Sequence, residues 1–281
     1  MKKFENIIIA TDLDGTFFAK DGSLVERNLR SIKYFTDNGG KFTVATGRVL
    51  YNVIKAFPDI GRYVNMPVIV CDGACVYDIN AGKALKHTII PYETVKQVLD
   101  FVHKHFPCAG VRIGTESHAF VSSPEEINNP YIKEDYLKCS DDSAKLLIPV
   151  ERWNDIDIIK IVLRVPSSSF DKIFYSVREK FNGILSPTFS CNYMIDIQMK
   201  GVNKGCVLKD FVKNNYGDNT KLYACGDYVN DTEMLIGADV SVCPSNAHES
   251  IKDICDLKLC SNDEGVIADL VEYIDLHSMQ P

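Results

Sequence analysis

Asp12-Leu13-Asp14-Gly15-Thr16, Thr46-Gly47-Arg48 and Gly226-Asp227-Tyr228-Val229-Asn230-Asp231 each follow an apolar run, and Lys204 opens a helical pattern. In an Asp-x-Asp turn after a strand, Asp12 and Asp14 project toward one pocket while Leu13 points away. One carboxylate can then attack an electrophilic centre as the other serves the leaving oxygen. Several carboxylates gathered together repel, and they stay ionised at neutral pH only beside a compensating cation or with a shared proton. A few carboxylates plus a carbonyl, with positions left for water, form the all-oxygen set that Mg²⁺ takes, and no His/Cys cluster offers zinc a site. A metal beside Lys204 and Thr46 suits a phosphoryl group, whose oxygens bridge metal, ammonium, hydroxyl and helix N-terminal amides. Phosphoryl transfer is therefore the expected reaction class. Asp12 is the expected nucleophile, held ionised by Lys204 and the metal. Asp14 protonates the departing alkoxide and then takes a proton from the hydrolytic water, while Gly15 makes room for the turn and Thr16 caps it.

These groups converge only if particular elements carry them. Asn6–Thr11, Phe42–Ala45 and Val68–Cys71 are continuous apolar runs, the pattern of strands covered on both faces. Between the first two, Ser23 and Glu26 form a capping box ahead of Val25, Leu29 and Ile32, and Asn38-Gly39-Gly40 stops that helix. A second helix is expected from Thr46-Gly47-Arg48 to Phe57. The order is that of a doubly wound parallel sheet, in which ligands bind beyond the carboxyl ends of the strands. After Gly82 the pattern becomes α+β: a helix over 92–106, strands near 110–113, 118–121 and 157–165, a polar stretch between them, a helix over 170–181 and two strands ending at Met199. After Gly201 the α/β alternation returns, with strands 222–225, 240–243 and 257–260 and helices 204–212, 230–236, 247–254 and 265–274. The predicted organisation is a core of 1–82 and 190–281 interrupted by an insert of 83–189.

The ordered motifs closely resemble the haloacid dehalogenase (HAD) superfamily, in its Cof-type branch with a large α/β cap, subclass IIB. Asp12–Thr16 matches the first motif, Thr46 the second, Lys204 in Gly201-Val202-Asn203-Lys204-Gly205 the third and Gly226–Asp231 the fourth. The resemblance spans the whole core. It implies a Rossmann-like core, an inserted α+β cap, Mg²⁺ and hydrolysis of small phosphate monoesters, most often sugar phosphates. It places Mg²⁺ on Asp12, the Asp14 backbone carbonyl and Asp227, with Asp231 behind them. It directs the Leu13 amide, Thr46, Gly47, Lys204 and Asn230 to the phosphate. The sequence departs from the branch at Asp72, where Asn is usual and where an extra carboxylate near the site could repel a phosphate or contact a substrate hydroxyl, and at Pro244-Ser245, where Met-Gly is commoner. The leaving group falls to the insert, and Arg112, His118 and Arg164 within it and Tyr193 just beyond its end are polar or cationic candidates.

Composition bounds the alternatives. The 31 Lys and Arg against 38 Asp and Glu give a net charge of −7, which opposes nucleic-acid phosphates. No stretch approaches the ~20 apolar residues of a membrane helix. The Ile7–Ala10 run is too short for a secretory signal. The 10 cysteines show no C-x-x-C, so reduced, mostly buried thiols and a cytoplasmic location are expected. Gly39-Gly40-Lys41 lacks P-loop spacing, no Gly-x-Gly-x-x-Gly follows a strand, and His103 and His105 fall on the polar part of a helix. A phosphomutase or phosphotransferase would use the same residues and pass the phosphoryl group to a second hydroxyl. A phospho-accepting signalling domain combines similar groups in about half this length, without a cap. The partner is a small phosphorylated substrate, and the oligomeric state is not legible.

Overall fold

The computed structural model describes residues 2–116, 118–139, 147–148, 150–217 and 219–277. Its strands are β1 (Ile7–Thr11), β2 (Lys41–Val44), β3 (Val68–Val70), β4 (Cys75–Asp78), β5 (Lys83–His87), β6 (Gly110–Gly114), β7 (Ala119–Phe120), β8 (Lys160–Arg164), β9 (Leu185–Cys191), β10 (Met194–Met199), β11 (Lys221–Cys225), β12 (Val240–Pro244) and β13 (Leu257–Leu259). Its helices are α1 (Glu26–Asp37), α2 (Leu50–Ala56), α3 (Tyr92–His105), α4 (Pro124–Asn128), α5 (Pro130–Cys139), α6 (Phe170–Lys180), α7 (Lys204–Tyr216), α8 (Thr232–Ile236), α9 (Glu249–Lys252) and α10 (Val266–His277). The chain divides into two compact units, Met1–Arg48 with Asn52–Lys86 and Asn203–Pro281, and Val49–Tyr51 with His87–Val202.

The first unit is built on a parallel sheet in the order β2-β1-β11-β12-β13. Ile8, Ile9 and Ala10 are wholly buried, as an apolar run without alternation requires of a central strand. Ile8 and Ala10 pack with Val207, Leu208, Leu222, Ala224, Met234 and Leu235 on one face. Removing one such aliphatic side chain from water contributes about 1.5–3 kcal/mol. Thr11 pairs with Cys225, so the carboxyl ends of β1 and β11 lie side by side although they come from opposite ends of the chain. β3 reaches this sheet through a parallel bridge from Ile69 to Ala45, and it forms a separate three-stranded sheet with β4 and β5. The doubly wound Rossmann-like architecture stands, with β4 and β5 as an addition that the sequence pattern did not announce.

The second unit carries a five-stranded antiparallel sheet in the order β7-β6-β8-β10-β9. One face is apolar: Val111, Ile113, Ile161, Leu163, Ile195 and Ile197 pack with Val95, Val98 and Val102 of α3 and Ile173 and Val177 of α6. Alternation along the strands puts Lys160 and Asp196 on the other face, where they form an ion pair at 2.8 Å. The Arg164 guanidinium lies 4.7 Å from the Tyr193 ring centroid.

Some expectations fail for local reasons. The Ser23/Glu26 capping box is absent because Ser23 belongs to the turn closed by Ala19 and bridged by Phe18 and Leu24. Its N–H donates to Asp21, and α1 starts at Glu26 behind Val25 without a side-chain cap. The polar stretch after Val121 contains α4 and α5, the former capped by Ser123 with Pro124 at its first position. A boundary at residue 190 would cut β9, which pairs with β10, and the division by contacts lies between Val202 and Asn203. Cys71, Cys75, Cys225 and Cys243 are buried thiols, whereas Cys108 and Cys206 are exposed and Cys191, Cys255 and Cys260 half-buried. The side chain of Cys139 lies outside the described residues. Among the described residues, no helix is long and apolar enough to cross a membrane.

Candidate active site

The Asp12 N–H donates to the Cys225 carbonyl at 2.9 Å, carrying the β1–β11 ladder one residue past β1. The chain then makes a single wide turn over Leu13–Phe17, closed by the Phe18 N–H donating to the Leu13 carbonyl at 2.8 Å. Leu13 is buried, while Asp14 remains exposed. Gly15 sits at φ +77°, and a Cβ there would lie 2.4 Å from Asp227 Oδ2. The glycine thus meets both a left-handed backbone and the close approach of a carboxylate. Thr16, also buried, donates its hydroxyl to Asp227 Oδ1 at 2.8 Å. Asn246 donates to the Gly15 carbonyl at 2.8 Å and fixes the turn from β12's far end.

Lys204 is the first residue of α7, whose N-cap Asn203 accepts from the Cys206 N–H at 2.7 Å. Its ammonium donates to Asp12 Oδ1 at 2.6 Å and Asp231 Oδ1 at 2.7 Å, with its side chain wholly buried. Asp231 Oδ2 accepts the N–H groups of Asp227 at 3.1 Å and Tyr228 at 3.3 Å. Both oxygens of Asp231 therefore hold the Gly226–Asp231 loop and Lys204 in place. The carboxylate oxygens of Asp12, Asp227 and Asp231 come within 4.8 Å of one another.

Such crowding has electrostatic consequences. Burial pushes the Asp12 carboxyl well above its usual range; Lys204 opposes this, and Asp231, Asp227 and Asp14 add to it. Burial and the neighbouring Asp231 push Asp227 up to about 7, against the hydroxyl of Thr16. Burial alone would lower the Lys204 ammonium, but Asp12, Asp231 and Asp72 outweigh it and hold it well above its ordinary value. One ammonium does not balance these carboxylates, so either a shared proton or a further cation compensates the excess. The donors are oxygens throughout, which fits a hard divalent ion.

The remaining expected residues form a second group. Thr46 is buried, and its hydroxyl accepts the Arg48 N–H at 3.2 Å. Asn230 donates to Asp72 Oδ1 at 3.2 Å, and a Cβ on Gly47 would lie 2.9 Å from Asp72 Oδ2. Asp72 thus stands between Gly47 and Asn230. Asp14 is drawn toward Arg48, which donates to both of its oxygens, Nε to Oδ2 at 2.7 Å and Nη2 to Oδ1 at 2.5 Å, while the guanidinium lies 5.1 Å from the Phe18 ring centroid. The Arg48 pairing with Asp14, the Asn246 contact and the Asp72 hydrogen bond with Asn230 are features of this site that sequence reasoning did not assign. Arg48 adjoins Thr46-Gly47, and Asp72 was visible as a departure from the branch, but their partners are distant in sequence.

A family model described as haloacid dehalogenase-like hydrolase matches residues 9–271. The chain is similar to 5-amino-6-(5-phospho-D-ribitylamino)uracil phosphatase YwtE of Bacillus subtilis, at 24% identity over 95% of this chain and 97% of that protein. It is also similar to pyridoxal phosphate phosphatase YbhA of Escherichia coli, at 20% identity over 94% of this chain and 97% of that protein. A solved haloacid dehalogenase-like hydrolase from B. subtilis shares the fold with a TM-score of 0.76 and 21% identity, covering 95% of this chain and 99% of the other. With the motif residues gathered at the ends of β1, β2 and β11, the chain belongs to the haloacid dehalogenase-like hydrolase family, as a phosphoric monoester hydrolase of its Cof-type branch.

Proposed function

We propose that this protein is a Mg²⁺-dependent phosphatase that hydrolyses a small phosphorylated metabolite, a sugar phosphate first, through an aspartyl-phosphate on Asp12. The observation that carries this reading is the buried Lys204 ammonium bridging Asp12 and Asp231 beside Asp227, a site poor in positive charge and rich in oxygen donors. Asp12, the Asp14 carbonyl and Asp227 would hold Mg²⁺, and Asp231 supports them from behind. The ion, when bound, supplies positive charge against the phosphoryl oxygens.

Lys204 keeps one Asp12 oxygen oriented and compensates its charge, leaving the carboxylate to attack phosphorus. The ester P–O bond breaks as the new Asp12 O–P bond forms, and Asp14 delivers a proton to the leaving oxygen. Water then attacks phosphorus, Asp14 takes its proton, and the Asp12 O–P bond breaks to release inorganic phosphate. Arg48 occupies both Asp14 oxygens, so carriage of a proton by Asp14 requires one of those hydrogen bonds to open. The Leu13 amide, Thr46, Gly47, Lys204 and Asn230 are the groups assigned to the phosphoryl oxygens.

The two relatives carry names of phosphatases for small phosphorylated metabolites, which supports that substrate class. The exposed free thiols Cys108 and Cys206 fit a reducing cytoplasm. A phosphate-release screen over phosphorylated metabolites, with Mg²⁺ or with EDTA, tests the function. Metal-dependent release that Asp12→Asn abolishes is expected, and unchanged turnover in that variant defeats the mechanism.

A further inference from the structure

Cys71 and Asp72 both lie in the left-handed region, at φ +52° and +51°. Two successive non-glycine residues in this region persist only where the surroundings dictate the backbone. The Cys71 N–H donates to the Arg48 carbonyl at 2.9 Å and the Asp72 N–H to the Thr46 carbonyl at 3.0 Å, which ties the turn to the Thr46-Gly47-Arg48 segment. The result is a buried Asp72 carboxylate, 4% exposed, that accepts from Asn230 and abuts Gly47. The backbone does not ask for this charge. Asn tolerates the left-handed region as well as Asp, and its amide oxygen would accept the same hydrogen bond from Asn230.

We propose that Asp72 is an internal anion that shares the phosphate's own donors and thereby limits how tightly the site holds inorganic phosphate. The proposal rests on the phosphatase reading for its physiological meaning. Asn230 and Gly47 are assigned to the phosphoryl group, and Asp72 already engages one and crowds the other. An incoming phosphate meets a like charge at the edge of its cradle. The substrate retains contacts through its leaving group, but the product has only the cradle, so the carboxylate acts hardest on product retention. A charge a few ångströms away in a partly desolvated site changes anion affinity by at least ~10-fold. Asp72 is therefore a positioning and release residue, and it makes no bond to the reacting atoms.

The test is calorimetric titration of inorganic phosphate into the Mg²⁺-loaded full chain, wild type against Asp72→Asn, with the inhibition constant of phosphate measured alongside. Asp72→Asn is expected to bind phosphate at least ~10-fold more tightly. A gain of affinity is an outcome that a merely structural role for Asp72 would not produce. Unchanged or weaker binding in a folded Asp72→Asn protein overturns the proposal. Asp72→Gly, whose backbone adopts φ +51° freely, carries the same expectation if the asparagine variant does not fold. Absence of phosphate release from every ester would defeat the phosphatase reading, while the calorimetric comparison would still decide the role of Asp72.

Discussion

Asp12 and Asp14 are two residues apart and have different surroundings. Asp12 is buried against Lys204, whereas Asp14 is exposed and paired with Arg48. The division suits a fixed nucleophile and a mobile proton carrier. Asp14→Asn is expected to lower kcat by about 10²–10⁴-fold with alkyl phosphates, the usual contribution of a general acid and base. Burst kinetics with p-nitrophenyl phosphate separate its two tasks: that leaving group departs without protonation, so formation of the aspartyl-phosphate should be spared and its hydrolysis slowed. Equal loss in both steps would remove Asp14 from proton transfer. At Lys204 the effect falls on stability as well. Lys204→Met strands Asp12 and Asp231 as unpaired buried carboxylates, and breaking a buried pair in this way destabilises by about 3–5 kcal/mol. Urea unfolding in EDTA measures it. A loss below about 1 kcal/mol would mean that the carboxylates had found another partner.

At the level of elements, close approach of backbones positions the site. Gly205, next to Lys204, lets α7 lie directly on α8: a Cβ there would come 2.3 Å from the Glu233 carbonyl. Alanine ordinarily stabilises a helix interior by about 0.5–1 kcal/mol relative to glycine. Here overpacking, about 1–3 kcal/mol, opposes and exceeds that gain. Gly205→Ala should therefore lower the melting temperature and, by displacing Lys204, reduce kcat; a higher melting temperature would contradict this packing. Gly205 lies within the third motif, and its neighbours in the sequence do not reveal what it packs against. What the sequence did make readable is the set of polar residues that follow buried strands, because unbroken apolar runs such as Ile7–Ala10 have few alternative folds. The false capping box shows the limit: Ser23 has the right spacing from Glu26, but a turn starting at Ala19 claims it. α4 and α5 were missed because their residues are polar and Pro-rich, and Pro124 starts a helix that its composition disguises. Asp72 was legible as an extra carboxylate near the site, but its hydrogen bond with Asn230, 158 positions away, is carried by no local pattern.

For the molecule as a whole, the two units respond to different conditions. The first holds the buried Asp12, Asp231 and Lys204 cluster, whereas the second contains a separate titrating pair, His103 with Glu126 at 2.6 Å. Glu126 also accepts the Val111 N–H at 2.7 Å, which joins α3 and α4 to β6. The hydrogen bond to Glu126 raises the His103 pKa despite partial burial. A raised folded-state value contributes stability that is fully present below the unfolded value of about 6.5 and is lost as pH rises through the higher folded value. His103 is 46% exposed, so screening keeps the effect below about 1 kcal/mol. Melting of the EDTA-treated protein should show stability falling as pH rises through about 7, where the raised Asp227 carboxyl acts with the same sign, and His103→Gln should remove only a small part of that fall. A slope identical in wild type and variant would remove His103 from it.

The pairing of β1 with β11 also orders events during synthesis. Asp12 leaves the ribosome long before its partner Lys204, which is 192 positions further on. At about 5–20 residues per second, that interval is roughly 10–40 s. Throughout it, β1 lacks the neighbour that covers one of its edges, and the stretch His87–Val202 is complete only as Lys204 is about to appear. A nascent chain thus holds an exposed apolar strand and half a charge cluster until its last quarter emerges. Hydrolytic capacity accordingly arises only at the end of translation, and a truncated product ending before residue 204 would be inert as well as prone to aggregate.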